Sequence, residues 1–250
     1  MKKNNLIFLT NTMTKYQYDF FDRLNNYLNF KVIVLNKYKY ENYNFNFPKK
    51  KYTIFLNNNI KNKKNIKKII SNFQPKKIIF CGYRIKYSFF IRKIIDTKNT
   101  KIYYWLERIN KKSKSKLLII SILLKKILEK ADGVFAIGNE AKSFYKKFNK
   151  NVINLPYSIK IIKKVKKKNI NQINFLFVGQ LIKRKGVDIL LKKLENFKLA
   201  KDQNFTITIV GNGNYKDKII KSSKILPNLK YYKFMKSSKL YSLYKKSHVL

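Results

Sequence analysis

The residues with the clearest potential for chemistry form a cationic loop between two glycines. Gly179 directly follows an apolar run, Arg184 and Lys185 lead into Gly186, and a helical pattern opens at Val187. Glycine allows a sharp turn, and a helix N-terminus offers free N–H groups and the positive end of the helix dipole. The loop therefore predicts a site for a phosphate or diphosphate. The alternative is a basic surface loop in a chain rich in lysine.

A second loop, Gly211-Asn212-Gly213, also follows an apolar run and precedes a helical segment. Two such loops on successive parallel strands open at the same carboxyl edge of a sheet, where ligands bind in open α/β folds. Neither loop has the G-x-G-x-x-G spacing of a dinucleotide site, and the sequence contains no P-loop. These absences argue against a dehydrogenase or a nucleoside triphosphatase.

Glu107 directly follows the apolar run 102–106 and is predicted to project from the edge of the sheet. Its functional interpretation is hydrogen bonding to an acceptor, and the alternative is an ion pair with a nearby lysine. One cysteine, Cys81, and one histidine, His248, exclude a disulfide framework, a cysteine zinc site and a histidine metal cluster. We therefore expect no metal and no cofactor, and a protein of the reducing cytoplasm.

The charge of the chain is extreme, because 53 lysines and 5 arginines face only 12 acidic residues and give a net charge of +46. Such a charge suggests nucleic-acid binding or contact with an anionic membrane. However, Lys, Asn, Ile, Phe and Tyr, which all have A/T-rich codons, dominate the composition. Much of the charge is therefore interpreted as compositional drift on solvated surfaces. The apolar runs at 6–9 and 117–124 are too short for a signal sequence and a membrane span.

The elements that must position these residues alternate between short strands and longer helices. Strands are predicted at 6–10, 31–35, 52–56, 77–81, 101–105, 133–137, 174–178, 205–210 and 229–234, with a further strand opening at 248. Helices are predicted at 16–28, 60–73, 88–95, 115–129, 140–148, 186–197 and 237–245. This alternation predicts parallel sheets and an α/β fold. A lysine-rich stretch at 160–171 suggests two domains, 1–168 and 169–250, the second with an incomplete sheet.

Several motifs resemble the retaining glycosyltransferases of family four, which have the GT-B fold of two Rossmann-like domains. The strongest resemblance lies in 177–191, and the spacing continues through 209–213 and 240–250. In the first half, 16–21, 131–138 and 154–159 are also similar to segments of that family. The resemblance implies a donor domain and an acceptor domain that face each other across a cleft, with 169–250 as the donor domain.

The resemblance implies roles for individual residues. Lys185 matches the lysine that meets the donor diphosphate, while Gln180 stands where many members have an arginine, so that contact passes to Arg184. Gly179 and Gly211, beside Asn212, would let the backbone approach the nucleotide. Lys160 stands where many members have an aspartate and gives no support. Cationic side chains can stabilise the charge that develops on the leaving diphosphate without a metal.

The expected function is sugar transfer from a nucleotide-sugar donor to a glycan or lipid-linked acceptor in surface polysaccharide or glycolipid synthesis. In the resembling family the strand at 248 leads to a Glu-x7-Glu donor loop, so this chain is expected to be truncated and inactive alone. The rival interpretation is a basic α/β protein without catalysis that binds nucleic acid or a membrane. Against specific nucleic-acid binding, the lysines are spread over nearly every helix and no helix-turn-helix or RNP motif is present. Lysine-rich amphipathic helices at 62–70 and 113–130 leave contact with anionic lipid open.

Overall fold

Two compact units make up the chain in a computed structural model, which describes residues 5–35, 49–56, 62–109, 114–158, 172–197 and 204–250. We call the described residues up to 158 unit 1 and those from 172 onward unit 2. The expected domain boundary at 168/169 lies outside the described residues, so the division into 1–168 and 169–250 stays a prediction.

Unit 1 is built on a seven-stranded parallel sheet in the order β3-β2-β1-β4-β5-β6-β7. The strands are β1 (Leu6–Thr10), β2 (Phe30–Val34), β3 (Thr53–Phe55), β4 (Lys77–Phe80), β5 (Lys101–Leu106), β6 (Gly133–Ala136) and β7 (Val152–Asn154). This is the order of a Rossmann-type sheet. Successive strands are added on one side of β1 up to β3, and from β4 onward they are added on the other side. Ligand sites in such sheets lie at the carboxyl ends of the strands where the order reverses.

Helices cover both faces of this sheet, which is why its strands are continuous apolar runs rather than alternating ones. They are α1 (Lys15–Leu24), α2 (Asn62–Phe73), α3 (Ser88–Ile94), α4 (Lys114–Leu128) and α5 (Asn139–Tyr145). Ile7 and Leu9 of β1 belong to the core shared with α2–α5, whereas Leu6 and Phe8 pack with Phe21 of α1. Alternate residues of one strand therefore fill two separate cores.

Unit 2 contains a three-stranded parallel sheet in the order β10-β9-β8. Its elements are β8 (Ile173–Val178), a 3₁₀ turn (Lys183–Lys185), α6 (Val187–Phe197), β9 (Phe205–Val210), α7 (Lys216–Ile225), β10 (Leu229–Tyr232) and α8 (Ser237–Lys246). Val249 pairs in parallel with Phe175 on the other side of β8, as expected for a strand opening at 248. The sheet order therefore reverses at β8.

The predicted fold class is confirmed: both units are Rossmann-like α/β structures with parallel sheets. Several predicted ends were wrong. Helix α1 ends at Leu24 rather than 28. The backbone N–H of Asn25 donates to the carbonyl of Phe21, and the pair Asn25-Asn26 directly follows the helix. Helix α5 ends at Tyr145 rather than 148, and β10 ends at Tyr232 rather than 234. Strand β7 was missed, because three residues are too few for a visible period.

No helix within the described ranges is both long and apolar enough to cross a membrane.

Candidate functional site

In unit 2 the two glycine loops are bonded to each other through their backbones. The N–H of Leu181 donates to the carbonyl of Asn212 over 2.9 Å, and the N–H of Tyr215 donates to the carbonyl of Leu181 over 3.0 Å. The Leu181 side chain is fully buried in the core with Val187 and Leu191. The first loop is therefore held on two sides before its cationic part begins.

The cationic side chains project from a short, ordered turn. Lys183–Lys185 form a single 3₁₀ turn, and Gly186 ends it in the left-handed conformation with φ of 75°. Helix α6 starts at the next residue, so its unsatisfied N–H groups lie directly after Lys185. Arg184 and Lys185 are exposed. A helix N-terminus with two cations beside it is suited to bind a phosphate group.

The glycines of the two loops differ in what occupies the space of a missing side chain. A Cβ on Gly211 would lie 1.8 Å from the carbonyl oxygen of Gly179, which no side chain can tolerate. A Cβ on Gly179 would meet nothing nearer than the Phe177 ring at 3.8 Å. Gly211 is thus required by the contact between the loops, whereas the surface at Gly179 is open.

Unit 1 has a pocket of about 470 Å³ at the carboxyl ends of β1, β4 and β5. This is the point at which the strand order of the sheet reverses, where ligands bind in this type of fold. The lining residues are Thr10–Thr12, Thr14, Tyr16, Gln17, Cys81–Ile85, Trp105–Ile109 and Tyr157. Cys81 is partly exposed, and burial of its sulfur raises the pKa of the thiol well above its ordinary value, so we assign it no nucleophilic role.

Glu107 lies in this pocket, where tyrosines hold it. The hydroxyl of Tyr157 donates to Glu107 Oε1 over 2.7 Å, and that of Tyr16 is 3.5 Å from the same oxygen. The buried Tyr145 donates to the backbone carbonyl of Glu107 over 2.7 Å. Among the described residues no lysine forms an ion pair with Glu107, so the alternative of a surface ion pair finds no support there.

Local sequence explains why these tyrosines meet at the pocket. Thr14 and Gln17 form a capping box that starts α1 at Lys15 and so places Tyr16 in its first turn. Trp105 Nε1 donates to the carbonyl of Leu155 over 3.0 Å, which fixes the chain just before Tyr157. The rings of Tyr16 and Tyr157 then pack with centroids 4.2 Å apart.

The surroundings of Tyr145 and Tyr157 keep the phenols of these two residues protonated. Burial, followed by the hydrogen bond to the Glu107 carboxylate, raises the pKa of Tyr157 far above its ordinary value. Burial likewise raises the pKa of Tyr145, with smaller contributions from Tyr83 and Glu107. The Tyr157 hydroxyl is thus a hydrogen-bond donor to Glu107 at any physiological pH. The arrangement presents a fixed carboxylate that can accept a hydrogen bond from a hydroxyl group or take its proton.

The predicted site residues fall into two groups. Unit 2 gathers Gly179, Gln180, Arg184 and Lys185 on one loop, with Gly211 and Asn212 on the loop bonded to it. Unit 1 holds Glu107. The partners Tyr145 and Tyr157 lie 38 and 50 residues beyond Glu107 and were not predicted from the sequence. Tyr157 belongs to the segment 154–159 that resembles the glycosyltransferase family, but nothing in the sequence links Tyr157 or Tyr145 to Glu107.

Among the described residues, no three His, Cys, Asp or Glu side chains come together as a possible metal site. The expectation that no metal is needed stays a prediction.

Comparison with known proteins supports a sugar-transfer assignment for unit 2. Residues 158–250 match the family described as Glycosyl transferases group 1. No curated protein matches the chain.

Solved structures share the fold at low sequence identity. The lipopolysaccharide outer core galactosyltransferase WaaB, in its apo form, is 14% identical with a TM-score of 0.60, over 97% of this chain and 71% of that one. Sucrose-phosphate synthase from Thermosynechococcus elongatus is 11% identical with a TM-score of 0.69, over 98% and 74%. The UDP-GlcNAc 2-epimerase from Neisseria meningitidis bound to UDP-GlcNAc is 14% identical with a TM-score of 0.52, over 98% and 76%. The fold is of the GT-B type. At these identities the likeness concerns the fold alone.

Proposed function

We propose that this protein is a retaining glycosyltransferase that moves a sugar from a nucleotide-sugar donor to a glycan or lipid-linked acceptor. The observation that carries the proposal is the cationic turn Lys183–Lys185 at the start of α6, inside the region that matches the glycosyl transferases group 1 family. The proposed setting is the synthesis of a surface polysaccharide or glycolipid in the cytoplasm.

In this proposal the loop of unit 2 binds the donor diphosphate. Lys185 and Arg184, with the first N–H groups of α6, stabilise the negative charge that grows on the diphosphate as the sugar leaves. Gln180 and Asn212 line the approach beside the open surface at Gly179. Positive side chains supply the stabilisation, so no metal ion is required by the mechanism.

Glu107 is the proposed acceptor-binding residue of unit 1. Its carboxylate accepts a hydrogen bond from the acceptor hydroxyl that attacks the sugar, and Tyr157 holds that carboxylate in place. A carboxylate held in one position orients the attacking hydroxyl group, and correct orientation removes much of the entropic cost of the reaction.

Binding of UDP measured by calorimetry tests the donor site. We expect Lys185→Ala to weaken UDP binding by roughly tenfold or more, since a charge-assisted hydrogen bond to phosphate contributes about 1.5–3 kcal/mol. The matched control is Lys192→Ala, which removes an equal charge from an exposed position farther along α6. Equal weakening in both variants would show that UDP binds only to the general positive charge and would contradict the site.

A lipid-linked acceptor implies contact with a membrane, and helix α4 offers a suitable surface. Leu118, Ile119 and Ile122 share one face of α4 and are 64%, 66% and 63% exposed. Lys125 and Lys126 continue the same face one turn later and are exposed too. Helix α4 begins a few residues after Glu107, so the three aliphatic residues lie within about 12 Å of the helix end nearest the pocket. Apolar side chains followed by lysines favour an anionic bilayer, and the net charge of +46 disfavours a second copy of the chain.

Sedimentation with phosphatidylglycerol vesicles at high salt tests the α4 surface, because salt removes the purely electrostatic binding of dispersed lysines. Wild-type protein should keep part of its binding, and Ile119→Glu with Ile122→Glu should lose it. Ile189→Glu changes a side chain that is 64% exposed on α6 and should behave as wild type. Full release of wild type by salt, or a dimer that the α4 variant disrupts, would contradict membrane contact.

A second candidate function is isomerisation of the donor sugar, because a UDP-GlcNAc 2-epimerase has the same fold. The family match over 158–250 favours transfer. Isomerisation would convert the donor without attaching its sugar to an acceptor, so product analysis separates the two.

A further inference from the structure

The pocket of unit 1 differs sharply in composition from the rest of the chain. Lysine is the commonest residue of the sequence and outnumbers arginine 53 to 5. Of the described residues that line the pocket, none is a lysine and two, Arg84 and Arg108, are arginines. The pocket thus holds arginine and no lysine, in contrast to the composition of the chain. Arginine presents a planar fork of N–H donors that lysine lacks, and this fork suits bidentate binding of a carboxylate or phosphate.

The two arginines are not equivalent. Arg108 forms an ion pair with Glu140 of α5, which compensates its charge. Arg84 forms no ion pair with any carboxylate in the described part of the chain. Its guanidinium instead lies 5.4 Å from the centroid of the Tyr83 ring, which also lines the pocket. Among the described residues, no carboxylate is paired with Arg84, so its positive charge is available to a ligand in the pocket.

The segment that carries Arg84 is held in position from β1. Asn11, which follows β1, donates from its side chain to the carbonyl of Arg84 over 3.0 Å and accepts from the N–H of Lys86 over 3.2 Å. Gly82 begins the turn with φ of 133°, a conformation that favours glycine. A single side chain therefore fixes the backbone on both sides of residue 85, which prepares Arg84 to bind without ordering a loop.

Arg84 and Glu107 both line the pocket. They follow β4 and β5, which are neighbours in the sheet, and adjacent strands are about 4.8 Å apart. The carboxylate of Glu107 suits a hydroxyl group and repels an anion, whereas the guanidinium of Arg84 suits a carboxylate or phosphate. A ligand that carries both a hydroxyl group and an oxyanion would satisfy both residues.

We propose that the pocket of unit 1 recognises an anionic sugar, with Arg84 binding its carboxylate or phosphate group. If the proposed function is correct, this is the acceptor, and the transferase acts on a uronic acid or a sugar phosphate rather than on a neutral glycan. Arg84 then determines specificity, and Glu107 binds the hydroxyl group that attacks.

The fluorescence of Trp105 reports on binding in the pocket and not on binding to the lysine-rich surface. Trp105 is the only tryptophan of the chain, it lines the pocket, and its ring centroid is 5.3 Å from that of Tyr157. Its fluorescence should change on titration with glucuronate or glucose 6-phosphate and change far less with glucose. The stronger of the two anionic sugars identifies the group as carboxylate or phosphate.

Three variants test the role of Arg84 in the same titration. Arg84→Gln should weaken binding of the preferred anionic sugar by about tenfold or more, as expected for a lost charge-assisted hydrogen bond. Arg84→Lys keeps the charge but not the fork and should also weaken it by about tenfold. Lys86→Gln removes an equal charge two residues away, outside the lining, and should bind as wild type.

An equal response to glucose, no response to any of the three sugars, full binding by Arg84→Lys, or an equal loss in Lys86→Gln would overturn the proposal. The titration contains no nucleotide sugar. A negative result therefore does not bear on the proposed donor site of unit 2. A negative result in the Lys185→Ala test likewise does not bear on the proposed anionic-sugar pocket.

Discussion

Three tyrosines around Glu107 show how single residues create the pocket of unit 1. Tyr145 fixes the backbone of Glu107, while Tyr157 and Tyr16 surround its carboxylate. The first contact belongs to the fold, because Tyr145 is fully buried and its hydroxyl reaches a backbone carbonyl. The other two belong to the pocket surface. The stabilising and functional contributions of the cluster can therefore be measured separately.

Tyr145→Phe should lower the free energy of unfolding by about 1 kcal/mol, the usual net value of a buried neutral hydrogen bond. The substitution should also change the alkaline stability. The pKa of Tyr145 is raised above its ordinary value of 10.0, so above pH 10 the unfolded chain releases a proton that the folded chain keeps, and stability is lost. Chemical denaturation at pH 8 and at pH 11 should show a smaller loss in Tyr145→Phe than in wild type. An identical loss in both proteins would contradict burial of this phenol.

At this scale the sequence singles out Glu107 as a candidate but does not predict its surroundings. A carboxylate directly after an apolar run is a visible candidate, because the run predicts a strand and the residue after it then lies at the carboxyl edge of the sheet, where ligands bind. Tyr157 is one of 18 tyrosines, and its position in the segment 154–159 does not indicate a contact with Glu107. Only the parallel pairing of β5, β6 and β7 brings it beside Glu107.

The two glycine loops show what an element requires of its sequence. Gly211 permits contact with the backbone of Gly179, and Gly213 permits contact with Leu181, where a Cβ would lie 2.6 Å from the carbonyl oxygen. These positions are therefore structural whether or not a ligand binds. At Gly179 the fold has space for a side chain. In the proposed function that space is taken by the nucleotide.

Gly179→Ala and Gly211→Ala should accordingly have opposite effects. Gly211→Ala should destabilise unit 2 by about 3 kcal/mol or more, because the backbone of Gly179 must move. Gly179→Ala should change stability by no more than about 1 kcal/mol but should weaken UDP binding. Thermal unfolding and calorimetry on both variants check this. Unchanged UDP binding in a stable Gly179→Ala protein would refute backbone approach to the nucleotide.

Strands and helices were predicted well where apolar runs or 3-4 spacing are long. Parallel pairing and the α/β class followed from their alternation, whereas the Rossmann-like fold was implied by the family resemblance. The short strand β7 and the 3₁₀ turn at Lys183–Lys185 have too few residues to show a period, and their formation depends on neighbouring strands and loops. The contact between the two glycine loops is also a product of tertiary pairing, and the motif 179–186 alone does not reveal it.

The charge of the whole molecule has two components with different physical meaning. Many of the described lysines lie on exposed helix faces, as Lys64, Lys67 and Lys68 do on α2. The pocket of unit 1 and the loop of unit 2 contain three of the five arginines, Arg84, Arg108 and Arg184. This separation is consistent with drift toward lysine where geometry is unconstrained, and it favours catalysis over nucleic-acid binding.

Replacing Lys64, Lys67 and Lys68 with Gln should weaken binding to heparin, which responds to total charge, without changing UDP binding. Elution of the variant at lower salt with an unchanged dissociation constant for UDP is the expected result. A parallel loss of UDP binding would show that UDP binding depends on the total positive charge and would contradict the separation of charge.

The most direct test of the account is sugar transfer itself, measured by mass spectrometry with isotope-labelled nucleotide sugars and a glycolipid extract as acceptor. The account predicts release of the nucleoside diphosphate, attachment of the labelled sugar to the acceptor, and a fall in kcat/KM of about two to three orders of magnitude in Lys185→Ala, as for the loss of a preorganised charge-stabilising contact. Lys192→Ala should stay within about twofold of wild type. Activity of Lys185→Ala within about twofold of wild type, or isomerisation of the donor without transfer, would contradict the assignment.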